Sequence, residues 1–271
     1  MKNSIRLTAF FIIVLGFCGN AQVRSLKNIF QKKAAIQQDF HSISSTYDIL
    51  ELNPQNLSSA RVMPGQPVEL TLPFENTDLL LDLRPVTITS PNFTVVEAAG
   101  GANRIVPHTL PTFYQGKIKG ADKSFASVSM FNNQVIGIMS DQKSNIVLGA
   151  IEQNGRATNQ YALYRDIDLK IKSGINCFTS DTPVDATQAL QVPKSPSARV
   201  TAVGQPIEIY FECDYRFYQD KGSNVANVVN YVLSFFNSVA LLYANESITV
   251  QVSQIKVWTT PDPYTGLTAT D

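Results

Sequence analysis

Histidine is nearly absent from this 271-residue chain: there are two, His41 and His108. They cannot supply three imidazoles to a zinc ion, and no His-Glu-x-x-His run occurs anywhere. Charge blocks are missing too. Lys plus Arg total 22 and Asp plus Glu total 22, so nothing points to a nucleic-acid partner. Charged residues are only 16% of the chain and apolar residues 44%, which argues against long disordered tracts and allows a real core. No Gly-x-Gly-x-x-Gly opens a helix, which disfavours a Rossmann-type nucleotide site. Beyond the first twenty-odd residues, no stretch reads as long and apolar enough to span a membrane.

What is present begins with an export signal over residues 1–21. Lys2 and Arg6 form the positive region, Leu7–Phe17 the apolar region, and Gly19-Asn20-Ala21 a small-residue cleavage site. Cys18 invites a lipoprotein reading, but Phe17 stands where that pattern wants Gly or Ala, so ordinary cleavage and secretion are expected. Cleavage removes two cations and no acid, leaving the remainder at net −2. Cys177 and Cys213 then remain, and an oxidising destination makes one disulfide the default reading.

Residues 22–50 carry a weak helical pattern, with Leu26, Ile29, Phe30 and Phe40 spaced for one face. From Gln66 to Arg165 short strands alternate with turns. The candidates are 67–74, 79–89, 93–97, 112–119, 125–131, 135–139, 146–151 and 161–164. Asn132-Asn133, Asp141-Gln142-Lys143 and Asn154-Gly155 mark hairpin loops. Such spacing suggests an antiparallel sandwich or open barrel over residues 22–172. Residues 173–206, rich in Ser, Thr, Pro and Asp, read as an exposed, cleavable linker with basic sites at Lys194 and Arg199.

The last segment, 207–271, reads as strand, long helix, strand. Ile207, Ile209, Phe211 and Cys213 alternate onto one face. Gly222-Ser223 supplies a turn, with Ser223 as the expected N-cap. Val225, Val228, Val229, Val232, Phe235, Phe236, Val239 and Leu242 recur at helical spacing, and a second strand runs over 248–258. Two strands joined by a long helix normally lie parallel. The fold class expected is therefore α+β, a β-rich sandwich or open barrel followed by a parallel strand-helix-strand unit.

This C-terminal unit resembles the opening of the catalytic domain of reprolysin-like (adamalysin-type) metzincin zinc peptidases. Glu208 stands six residues before Asp214 on the first strand, and the second strand ends in Trp258-Thr259, both as in that family. Upstream, Phe113–Gly120, Ser124–Ser129, Val135–Ile138 and Tyr161-Ala162-Leu163-Tyr164 are similar to the family's propeptide strands. The resemblance implies a secreted zymogen, of which 22–172 is the propeptide and 207–271 the start of the catalytic domain. It implies zinc as cofactor of the complete enzyme and protein or peptide substrates. It also implies that Cys177, near the end of the propeptide, could hold that zinc as an inhibitory thiolate. A disulfide with Cys213 and inert burial are the other readings of Cys177, which lacks the Gly that usually follows such a cysteine. Glu208 matches a position where some members use a structural calcium, although one carboxylate is no site and an outward Glu is usually just solvated.

Asp214 is expected to cap the strand-to-helix connection, and Trp258 to pack in the core. His41 and His108 read as surface residues. As written the chain would be inactive, since the metal-bearing helix is not in it. The competing reading is an exported, non-catalytic β-sandwich binding or adhesion protein. An unfinished parallel sheet would also leave a raw strand edge, making 203–271 more protease-sensitive than 66–170.

Overall fold

The computed structural model describes residues 23–33, 40–61, 65–131, 133–153, 156–170 and 205–264. Among them the chain is a β-rich α+β fold. In order it runs β1 (Arg24–Leu26), β2 (Phe30–Lys33), β3 (Asp48–Leu52), α1 (Pro54–Arg61), β4 (Val68–Phe74), β5 (Thr77–Val86), β6 (Thr89–Ala99) and β7 (Ala102–Val106). There follow β8 (Thr112–Ile118), β9 (Phe125–Met130), β10 (Val135–Ser140), β11 (Asn145–Gln153) and β12 (Arg156–Arg165). The C-terminal unit is β13 (Ile207–Cys213), α2 (Tyr215–Asp220), α3 (Val225–Asn245) and β14 (Val250–Trp258).

Ten strands form one sheet in the order β1-β4-β5-β8-β9-β10-β11-β12-β3-β2, antiparallel except where β1 meets β4. It curls round a single core to which every one of its strands contributes, including Leu50, Leu70, Leu81, Val128, Leu148 and Tyr161. Strict alternation produces this: β4 buries Val68, Leu70, Leu72 and Phe74 and turns the residues between them outward. The far strands of the curl meet through Lys32, which donates to the Glu75 carbonyl at 2.5 Å and pairs with Asp48 at 2.6 Å. Phe30 packs edge-on against Tyr161, ring centroids 5.0 Å apart. The Tyr161 hydroxyl accepts from the Val135 amide at 3.0 Å, satisfying the polar end of a buried ring.

Where residues 22–50 are described, at 23–33 and 40–50, they do not form the expected helix. They supply β1, β2, a 3-10 turn at Phe40–Ser42 and β3. Leu26, Phe30 and Leu50 enter the barrel core from strands, so tertiary pairing overrides a weak helical spacing. Asp141 makes its hairpin as anticipated, its Oδ1 accepting from the amides of Lys143 and Ser144 at 2.8 and 3.1 Å. The 132 position, the Asn154-Gly155 pair, residues 1–22 and nearly all of the 173–206 linker lie outside the described residues.

The second sheet has the order β13-β14-β6-β7. β13 and β14 are parallel, as the strand-helix-strand pattern implies, with Ile207 beside Val250 and Cys213 beside Val257. Beyond β14 lies β6, also parallel, pairing Gln254 with Thr94 and Trp258 with Ala98. The N-terminal half thus donates the β6–β7 hairpin to the C-terminal sheet, a connection that the linker boundary in the sequence does not show. β13 has no neighbour on its outer side among the described residues.

α3 lies between the two sheets. Val228, Val229, Val232, Leu233, Phe236 and Ala240 share a core with Val252, Ile255, Val257, Ile88, Val95 and Phe113. Phe236 meets Phe211 edge-on at 5.7 Å. By length and composition α3 is the one described helix able to cross a membrane. Half of its apolar stretch is buried against the sheets, whereas Phe235 and Leu242, expected on the same stripe, are exposed. Its N-cap is Asn224 rather than Ser223, the Asn224 side chain accepting from the Asn227 amide at 3.1 Å.

Candidate functional site

The other flank of α3 faces the outside of the curled sheet, and here the contact is polar. Asn237 is wholly buried. Its Oδ1 and backbone carbonyl accept from Gln115 Nε2 at 3.1 and 3.0 Å. Its Nδ2 lies 3.3 Å from the Tyr114 carbonyl, 3.4 Å from the Val128 carbonyl and 3.3 Å from Ser129 Oγ. Ser127 and Ser238 share a hydrogen bond of 2.6 Å. This explains the serine-rich strand: β9 is buried on both faces, with Ala126, Val128 and Met130 inward and Ser127 and Ser129 under the helix. Small hydroxyl side chains let the helix approach closely while its own polar residues stay satisfied. At one end the seam opens into a groove of about 480 Å³ lined by Leu83, Arg84, Lys117, Leu241 and Asn245 among others.

His108, in the β7–β8 connection, is partly buried rather than a plain surface residue. Its Nε2 and the Asn230 Oδ1 of α3 are both buried without a well-aligned hydrogen bond. Burial lowers the His108 pKa and outweighs the opposing pull of the nearby Asn230 amide.

A second constellation sits on the face of the β13–β14 pair opposite α3. Glu212 receives hydrogen bonds from Trp258 Nε1 at 2.6 Å, Tyr264 Oη at 2.8 Å, Tyr210 Oη at 2.9 Å and Lys256 Nζ at 3.2 Å. Desolvation alone would raise its pKa, but these four donors together bring it down to about 2. The Tyr210 phenol is pushed up to about 12 by burial and by the same carboxylate. Trp258, expected in the core, instead lies half-exposed on this outer face, with Lys256 Nζ 4.3 Å from its ring centroid. A shift of register within β14 brings Ile255 and Val257 inward and leaves Gln254, Lys256 and Trp258 outward.

The segments that follow β13 and β14 beside this face are fixed by carboxylates on backbone amides. Asp214 Oδ1 caps α2 by accepting from the Phe217 amide at 2.6 Å, the role its position suggested. Asp262 accepts from the Tyr215 amide at 2.9 Å and the Tyr264 amide at 3.0 Å. Chemically the Glu212 cluster is an acceptor hub. A carboxyl held ionised far below neutrality is no proton donor at pH 7.

Glu208 is exposed on β13, level with Gln251, and is not drawn into the Glu212 cluster. Among the described residues no three His, Cys, Asp or Glu side chains stand together as a metal-binding group. Cys213 is a free, buried thiol with its pKa pushed up to about 12 by desolvation and by the neighbouring Asp214 and Glu212 charges. Its suggested partner Cys177 lies outside the described residues, as does any role of Cys177 as a zinc ligand. Sequence reasoning missed Glu212 because alternation places it beside Glu208 as one more outward carboxylate. The signal that marks it is the tryptophan and tyrosines that pairing brings across from β14 and the segment after it. No family model matches the chain, and no curated protein matches it either.

Proposed function

We propose that the chain is the leading part of a secreted zinc endopeptidase precursor, with residues 22–172 acting as propeptide and 207–271 opening the catalytic domain. One observation carries this reading. The parallel β13–α3–β14 unit bears Glu208, Asp214 and Trp258-Thr259 in the order the reprolysin-like resemblance requires, and its β13 edge has no strand beside it among the described residues. Residues 22–172 would then serve as intramolecular chaperone and inhibitor.

The residues present do not fit a catalytic zinc, since two histidines cannot make a three-histidine site, and Glu208 alone does not fit calcium. The chain's own contribution is to build the sheet on which such a site would be placed. The test is the coding sequence beyond Asp271. A His-Glu-x-x-His-x-x-Gly-x-x-His run within roughly 50–130 residues is expected, and a stop codon there without it would overturn the reading. The sealing of β14 by β6 into a continuous sheet favours the alternative, an exported non-catalytic binding or adhesion protein, in that event.

A further inference from the structure

The β14 edge and the polar flank of α3 form one continuous receptor surface, and the N-terminal half fills both parts of it. β6 adds to β14 as a parallel strand over Thr94–Ala98, with Gln254 Nε2 donating to Thr94 Oγ1 at 2.9 Å. The Val252 amide donates to the Ile88 carbonyl and the Thr259 amide to the Ala98 carbonyl, each at 2.9 Å, extending the ladder at both ends. Ile88, Val95 and Phe113 from the N-terminal half are buried in the same core as Val228, Phe236, Val252 and Val257. Strand addition supplies main-chain hydrogen bonds, and the alternate side chains supply the pocketed contacts. Thr260 Oγ1 accepts from the Gly100 amide at 3.0 Å, gripping the hairpin tip as well.

We propose that this strand-donated interface holds the two halves together without the covalent linker, so that a chain cut between residues 171 and 204 remains a one-to-one complex. What an intact tether adds to such a pair is an effective concentration, on the order of millimolar for a short one. A shared apolar core plus a paired strand excludes water whether or not the tether is intact. Cutting alone therefore does not free the β14 edge; the β6–β7 hairpin has to be withdrawn from the sheet. The complex is expected whatever chemistry the C-terminal unit serves.

The experiment uses the full chain with a site-specific protease sequence placed at Pro193. After complete cutting, size-exclusion at low micromolar concentration should return both pieces in one peak at equal amounts, and separation into two peaks would overturn the proposal. Hydrogen exchange on the cut complex should leave the amides of Val252–Trp258 protected as in the intact chain. Their loss of protection while the pieces still co-elute would show that the hairpin is not what holds them. Ile88→Ala should weaken retention of the cut pieces by about a hundredfold. Unchanged retention in that variant would likewise count against the shared core.

Discussion

Asn237 shows how one side chain can decide whether two layers fit. It is buried with partners for both its amide nitrogen and its oxygen, drawn from β8, β9 and Gln115. Asn237→Ala takes from the Gln115 amide one of its two acceptors, leaving the backbone carbonyl of residue 237, and removes the side-chain donor to two strand carbonyls and Ser129, so a loss of about 1–3 kcal/mol is expected in denaturant titration. Glu212 behaves differently because its partners hold a charge. Its carboxyl, at 4.5 in an unstructured chain, titrates near 2 when folded. The folded form binds fewer protons, so this stabilisation is complete above pH 4.5 and disappears as pH falls towards 2. Thermal melts of wild type and Glu212→Gln should differ most above pH 5 and converge in acid. Trp258 is the sole tryptophan, so fluorescence reads this site directly.

At the level of elements, α3 is the piece on which both sheets depend. It carries an apolar stripe for β13, β14 and β6 and a polar stripe for β9, and periodicity in the sequence exposes only the first. The β7–β8 connection touches the same helix through His108. Its folded pKa is lowered, so below 6.5 the unfolded chain takes up a proton more readily than the folded one. Stability should therefore fall on acidification from pH 7 through 6.5, and His108→Asn should flatten that slope. A slope unchanged in the variant would remove His108 as its source. The β6–β7 hairpin is the element least visible beforehand. Phe93–Glu97 reads as one more strand of a meander, and nothing local says that its partner lies some 160 residues away in β14.

For the whole molecule, the sharing of one core across the linker changes the expected unfolding. A raw-edged C-terminal fragment would melt or be digested first. With β14 covered and α3 clasped on two flanks, the halves should unfold together. Trp258 fluorescence, which follows the C-terminal sheet, and far-ultraviolet circular dichroism, dominated by the ten-stranded sheet, should give one coincident transition. An earlier fluorescence transition would show that the interface is weaker than its contacts imply.

The amino-acid sequence by itself determined the local pieces: alternation marked β4, β5 and β8–β12, helical spacing marked α3, and the Asp214 cap could be placed by position. These depend on neighbours within a few residues, which a linear pattern records. Tertiary structure alone decided that Arg24–Leu26, Phe30–Lys33 and Asp48–Leu52 become strands, that Trp258 turns outward to Glu212, and that β6 leaves its meander to seal β14. Each of these outcomes comes from pairing between distant strands, whose hydrogen bonds run through the backbone and leave little trace in side-chain order.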